Sequence, residues 1–345
     1  FLPSLKYRAN FGVDLYNDSE DTFRPSTIPL SNTKGNPESI PEATSQTSRI
    51  YNWVFEQTLS YNKNFGGHSV SVLGGWTMQY QRDESNYAFA NGFIINSIPT
   101  LNAGTVTRGN SNASEWSLLS ALARIQYNYL GKYMITGALR ADGASRFGKN
   151  NRWGYFPSVS LGWRISEETF FQPVKDVISQ MKLRASYGIV GNASIPNYRT
   201  ISQYSNGSTI FNKALTSYVV FSNLGNKDLK WESSHQFNVG LDMSLWNNRL
   251  EFILDYYQKS TKDLLFEKQV PFTTGYSTTW TNLGEIVNKG FEATVTSHNV
   301  QTRDFTWVTD LVFSTNKLVV EDINGETIDT GNNTIAREGE KWASY

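Results

Sequence analysis

Cysteine is absent from the 345 residues, which removes any disulfide framework, thiol nucleophile or cysteine-held metal from consideration. Histidine is scarce: His68, His235 and His298 stand far apart, with no His-x-x-x-His and no carboxylate at ligand spacing, so no metal site is expected. No apolar run approaches the roughly 18 residues a membrane-crossing helix needs, so helical spans are excluded. Mean hydropathy is −0.43, a value that still admits a transmembrane β-barrel, because such a barrel has a polar lumen and polar outer loops. Net charge is missing too: 31 Lys and Arg balance 31 Asp and Glu, leaving no field to recruit nucleic acid or an anionic surface. The opening FLPSLKYRANF lacks a signal-peptide build and reads as a strand already under way.

What is abundant is aromatic residues, at 14%, and strict alternation. In His235–Lys259, residues Phe237, Val239, Leu241, Met243 and Leu245 alternate with Gln236, Asn238, Gly240, Asp242 and Ser244. That is the period-2 pattern of a strand with one apolar and one polar face. Trp246 to Arg249 read as a tight turn, and Leu250, Phe252, Leu254 and Tyr256 resume the alternation against Glu251, Ile253, Asp255 and Tyr257. Each strand runs about ten residues, enough for a tilted strand to cross a bilayer. Trp246, Tyr256 and Tyr257 fall at strand ends, where amphipathic rings favour the membrane interface.

The rhythm recurs along the chain. Leu5 to Leu15 form a first strand; residues 17–48, rich in Ser, Thr, Asn and Pro, read as a long loop. Strands through Tyr51–Tyr61 and Val70–Tyr80 flank an NKNFGG turn, and a second long loop is expected over about 83–114. Leu119–Tyr127 and Tyr133–Ala141 flank Leu130-Gly131-Lys132, and Val159–Ile165 runs into ISEETFFQPVKDVISQ, which resembles a short helix capped at Ser166. Leu183–Ile189 returns; residues 191–231 are the longest irregular stretch. Past a loop at 260–282, strands pass through Glu292–Val295 and Phe305–Phe313, and the last thirty residues end without a strand. The total is about eleven strands joined alternately by short turns and loops of roughly 12 to 40 residues, the sidedness of outer-membrane barrels with short periplasmic turns and long external loops. A sandwich sorts its loops less.

The blocks RADGASRFGKNNRWGYFPSVSLGWRISEE (140–168), MKLRASYGIVGN (181–192), LGNKDLKWESSHQFNVGLDM (224–243) and NLGEIVNKGFEATV (282–295) resemble, in order and spacing, the barrel of the SusC-type TonB-dependent transporters, the RagA/SusC family of Bacteroidota. Residues 1–139 fit through the hairpin rhythm. The resemblance implies an all-β, transmembrane antiparallel barrel of about 22 strands with an amino-terminal plug. On that reading residues 1–345 are a partial barrel of about 11 strands, with plug and terminal strands absent, because an odd count with a ragged end cannot close an antiparallel barrel.

The resemblance also implies a function: import of a nutrient across the outer membrane, an oligosaccharide ahead of a peptide and an iron chelate last. Its implied partners are the TonB–ExbB–ExbD complex, a SusD-like lipoprotein lid and outer-membrane lipid. No cofactor, nucleic acid or enzymatic activity is implied. An alternative of another class is a soluble carbohydrate-binding β protein or glycosidase module.

Glu251, Asp255 and Asp242 project from one strand face, as a glycosidase pair would, yet placement on a polar wall explains them as well. Gly66-Gly67 and Gly74-Gly75 lack the Lys-Ser/Thr of a phosphate loop, and no Ser-His-Asp context stands out. Arg140, Asp142 and Arg146 are candidate ligand contacts or a structural ion-pair cluster. Tyr198, Tyr204, Tyr218, Trp231 and Trp280 lie in or beside long loops, where they could stack on sugar rings or simply pack the loops.

Overall fold

The computed structural model describes residues 4–28, 40–331 and 334–342. Its main sheet has eleven strands. The first seven are β1 (Leu5–Arg24), β2 (Glu42–Phe65), β3 (His68–Asn91), β4 (Thr105–Tyr129), β5 (Tyr133–Ala144), β6 (Trp153–Arg164) and β7 (Ile178–Asn192). A separate hairpin follows, β8 (Gln203–Phe211) with β9 (Ala214–Asn223). The sheet resumes with β10 (Glu232–Leu245) and β11 (Leu250–Lys262), and a second small hairpin comprises β12 (Leu265–Gln269) and β13 (Thr278–Asn282). It ends with β14 (Glu285–Gln301) and β15 (Thr306–Asp322), after which β16 (Ile328–Gly331) pairs with β17 (Thr334–Ala336). The order β1-β2-β3-β4-β5-β6-β7-β10-β11-β14-β15 means that every main strand lies beside its predecessor once the small hairpins are set aside.

The eleven strands expected from alternation are these eleven, but they are longer than the apolar pattern suggests. β1 runs on to Arg24 and β2 begins at Glu42, so the first loop is 25–41, of which 29–39 lie outside the described residues. β3 and β4 reach Asn91 and Thr105, shrinking the 83–114 loop to 92–104. Polar ends such as Asn17–Arg24 extend because backbone ladder bonds, not an apolar face, hold them. Three loops hold the small hairpins: β8–β9 within 191–231, β12–β13 within 260–282, and β16–β17 within the last thirty residues. The segment after β6 is not a capped helix. It forms two 3-10 pieces, Ile165–Glu167 and Thr169–Val174, without a side-chain cap bond, and Pro173 sits in the second.

Turn chemistry explains the tight connections. Gly66 and Gly67 both take positive φ (51° and 85°), the two-residue hairpin geometry that glycine supplies without steric cost. The β10–β11 turn achieves the same reversal with Trp246, Asn247 and Asn248 all at positive φ.

Register sorts the side chains into two faces. Across β5, β6, β7, β10, β11, β14 and β15, one face carries the row Tyr133, Trp163, Leu183, Leu241, Leu254, Ala293 and Phe313, and the next row is Ile135, Leu161, Ala185, Val239, Tyr256 and Phe291. The opposite face carries Gly162, Arg184, Gly240, Asp255, Glu292 and Ser314. The apolar rows are exposed: Leu161 is 51%, Phe237 45% and Phe313 60% accessible. From Phe237 to Leu245 the apolar face spans about 27 Å of strand at ~3.4 Å per residue. At the ~40° tilt of a membrane barrel that is roughly 20 Å of height, close to the ~25 Å lipid-facing band.

By contact density the chain divides into two units, Phe1–Arg8 with Gln57–Trp76 and Leu119–Tyr345, and Ala9–Glu56 with Thr77–Leu118. In each, the packed core gathers around the long connections. The first holds Leu283, Val320, Ile323, Ile328 and Ala336, and the second Ala43, Ala90 and Phe93.

Candidate functional site

Two places concentrate polar chemistry: the polar face of the sheet and the long connections. On the polar face, Arg184 of β7 reaches across β10. Its Nε donates to Asp242 Oδ1 at 2.9 Å and Oδ2 at 3.0 Å, and its Nη2 donates to Asp255 Oδ2 of β11 at 3.0 Å. Gly240 lies between them, and a Cβ there would run into Asp255 Oδ1 and the guanidinium. The small residue is what lets one arginine bridge two carboxylates on successive strands. Beside this cluster lies a shallow concavity of about 350 Å³, lined by Thr136, Ser160, Gly162, Lys182, Ser186 and Asn238 among others. Glu251 stands apart, 4.0 Å from His298, so the three carboxylates of this hairpin do not converge.

The sequence candidates fall into separate settings. Arg140 Nε donates to both oxygens of Asp142 (2.8 and 2.7 Å), and its Nη2 reaches Ser120 Oγ at 3.1 Å. Asp142 and Ser120 are buried. Arg146 belongs to a different contact: Nε donates to Asn197 Oδ1 at 2.9 Å and Nη1 to the Ala193 carbonyl at 3.2 Å. It joins the β5–β6 loop to the segment after β7, so the three residues do not form one cluster.

Trp231 is packed from two sides, its ring 5.3 Å from both Phe147 and Phe156, and its Nε1 donates to the Arg152 carbonyl at 3.0 Å. Phe147, Ile195 and Leu229, each in a different connection, are buried as well. Tyr198 is half-buried at positive φ (65°). Trp280 sits in β13; its carbonyl accepts from Asn226 Nδ2 at 3.0 Å, and its buried Nε1 has no partner among the described residues.

Tyr204 and Tyr218 are the exposed members. Tyr204 in β8 begins a row of rings, 5.3 Å from Phe221, which lies 4.7 Å from Tyr276. Tyr218 lies over Gly207 on the other face of the hairpin.

Several residues that organise these surfaces escape a reading by residue type. Arg184, Asn197, Ser120 and Phe221 carry no motif of their own, and their roles depend on partners more than 10 residues away in sequence. Asn282 opens the block NLGEIVNKGFEATV. Its Nδ2 donates to the carbonyls of Lys230 (2.8 Å) and Asp263 (2.9 Å) while its Oδ1 accepts from Lys230 N–H (2.9 Å). Among the described residues no group of three or more His, Asp or Glu is placed to hold a metal ion.

Comparisons with known proteins agree on one architecture. Residues 3–337 match the family model described as TonB dependent receptor-like, beta-barrel. A TonB-dependent receptor of Formosa agariphila is 38% identical over 320 residues, covering 92% of this chain and 31% of that protein. The TonB-dependent receptor SusC of Bacteroides thetaiotaomicron is 30% identical over 319 residues, covering 89% of this chain and 30% of SusC. Among solved structures, the RagAB peptide transporter superposes with a TM-score of 0.87 at 25% identity, over 98% of this chain and 37% of that one. The chain thus spans about a third of the length of the curated relatives it matches.

Proposed function

Given that the chain belongs to the TonB-dependent receptor family, its sheet being part of that family's outer-membrane β-barrel, we propose that it contributes to a SusC-type importer of neutral oligosaccharides. In this reading residues 1–345 form one stretch of barrel wall, the exposed apolar rows meet lipid, and the long connections face the outside. A SusD-like lipoprotein closes over them, and the TonB–ExbB–ExbD complex drives uptake.

The observation that carries the substrate class is the row Tyr204, Phe221 and Tyr276 on the long connections. From Thr200 to Asn226 the only charged residue is Lys213, the remainder being hydroxyl, amide, aliphatic and aromatic. Aromatic faces flanked by hydroxyls and amides suit a sugar ring, which stacks and hydrogen-bonds without needing a counter-charge. Arg140, Asp142, Arg146, Tyr198, Trp231 and Trp280 fit a supporting role, since each candidate arginine is engaged by protein groups and Trp231 is packed by two rings.

A second reading, peptide import, is favoured by the likeness to the RagAB peptide transporter. Iron chelates come last, because the β8–β9 segment that carries Tyr204 and Phe221 has Lys213 as its single charge, too little to recruit an anionic chelate. Deleting the gene and growing the strain on single carbon sources separates them. Loss of growth on a neutral glycan, restored by the intact gene, is expected; unchanged growth on glycans with loss on peptides, or under iron limitation, would overturn the assignment.

A further inference from the structure

The connection between β6 and β7, residues 165–177, is the longest at the end of the sheet otherwise closed by tight turns. It has a packed side and a bare side. Ile165, Ser166 and Phe171 are buried, whereas Phe170 is 65%, Val174 43% and Val177 50% exposed. Three exposed apolar side chains on thirteen residues of ordered turn are unfavourable in water.

The direction in which this connection leaves the sheet is fixed by Glu168. Its Oε1 accepts from Tyr133 Oη at 2.5 Å and from Trp163 Nε1 at 3.1 Å, and Lys132 Nζ lies 3.6 Å from Oε2. Tyr133 and Trp163 are paired across β5 and β6 in the apolar row that continues into Leu183 and Leu241. The connection is therefore tied to the rim of the apolar face, not to the polar one. At its far end the Val177 carbonyl accepts from Trp246 N–H at 2.8 Å, and Ser179 Oγ accepts from Asn247 N–H at 2.6 Å, so the next turn, with its exposed Trp246, is fastened alongside.

We propose that this connection is a membrane-interface anchor, with Phe170, Val174 and Val177 immersed at the boundary between lipid headgroups and acyl chains. The occupant is phospholipid, because Glu168 ties the connection to Tyr133 and Trp163 at the rim of the apolar face, the face that meets lipid in an outer-membrane barrel. Indole and phenol at the rim, each with one polar atom on a carboxylate, have the amphipathic build that favours this depth. The charges come close to balance: Lys175 lies 3.7 Å from Glu167 and Lys132 faces Glu168, with Asp176 the one further charge on the connection. Binding therefore rests on apolar burial and is insensitive to the fraction of anionic lipid. This inference depends on the outer-membrane assignment and is independent of what is transported.

The test uses the full-length transporter in phospholipid nanodiscs, with spin labels at F170C and V174C and at the polar neighbour Q172C. The chain itself contributes no competing cysteine. Collisions with oxygen should exceed those with a water-soluble nickel chelate at 170 and 174, with the reverse at 172. The pattern should hold when anionic lipid is varied. Hydroxyl-radical footprinting of the unsubstituted protein gives a second readout, in which Phe170 should be protected several-fold relative to the exposed Tyr204 ring. Nickel access at 170 and 174 matching that at 172, or oxidation of Phe170 like a free ring, would overturn the proposal. So would labels shielded from both reagents, the signature of a protein partner.

Discussion

The side-chain amide of Asn282 closes on the backbone of Lys230 from both sides, donating to its carbonyl at 2.8 Å and accepting its N–H at 2.9 Å. A third bond, to the Asp263 carbonyl at 2.9 Å, makes this one residue the meeting point of the approach to β10, the exit from β11 and the end of β13. Only an amide offers two donor hydrogens and a separate carbonyl acceptor on one neutral group, and of the two amide residues asparagine is the shorter.

Replacing Asn282 with Ala should cost about 1–3 kcal/mol, since it strands backbone groups that are partly withdrawn from water. Asn282→Asp keeps the acceptor for Lys230 N–H and loses both donated bonds. Hydrogen exchange should accelerate across 226–231 and 263–268 in both variants while the centres of β10 and β11 stay protected. Uniform loosening of the sheet would show that the clasp is not local.

The two faces make a second prediction. Leu241 lies opposite Leu254 in the exposed apolar row, whereas Asp242 is held by Arg184 on the other face. Leu241→Arg should destabilise the full-length protein by roughly 2–4 kcal/mol if the residue lies near the bilayer midplane. Asp242→Asn should cost less, because Arg184 keeps its bond to Asp255. Folding titrations in lipid check the ranking, and the reverse order would mean that the faces are interchanged.

The strand count and the faces were legible in the sequence because alternation is written wherever one side of a strand must avoid water. Phe237 to Leu245 is such a run. Strand ends were not legible: Arg82 to Asn86 carries β3 onward through five polar residues whose ladder bonds have no hydrophobic signature. The β8–β9 hairpin was hidden for a related reason. Its turn is Asn212-Lys213, both at positive φ (49° and 63°), without the Asn-Gly or Asp-Gly that announces such a reversal. For the candidate site, residue type identified Arg140 and Asp142 as a pair two apart, but could not place Arg146 on Asn197, 51 positions away. Trp231 looked like any loop aromatic until Phe147 and Phe156 were brought against it.

Glu168 supplies a pH prediction. The Tyr133 hydroxyl, and after it the Trp163 indole N–H, bond its carboxylate and hold its pKa below the usual carboxylate value. A carboxyl whose folded pKa is depressed contributes stability that is present above its unfolded value, about 4.3. That contribution is lost as pH falls through the lower folded value. Exchange protection of residues 165–177 should therefore persist at mildly acidic pH and fade only in stronger acid. Glu168→Gln, which retains an acceptor oxygen but cannot ionise, should abolish that pH dependence.

The last prediction separates a ring that packs from a ring that binds. Trp231 is half-buried, touches Phe147 and Phe156 and spends its indole N–H on the Arg152 carbonyl, so Trp231→Ala removes packing from the buried Phe147 and Phe156. The expected cost is about 1–3 kcal/mol of stability, with any loss of ligand following from disorder. Tyr204 is 61% exposed and meets only the edge of the Phe221 row. Tyr204→Ala should leave stability within roughly 0.5 kcal/mol, as at other exposed positions. If the row stacks on sugar, it should nevertheless weaken glycan binding by about 0.5–1.5 kcal/mol, the worth of one aromatic contact. Calorimetry on the full-length protein, with and without the proposed SusD-like lipoprotein, alongside thermal unfolding of the same samples, reads both quantities. Unchanged glycan affinity in Tyr204→Ala and in Tyr218→Ala would move the binding surface away from this hairpin, leaving the polar face around Arg184 as the place to look.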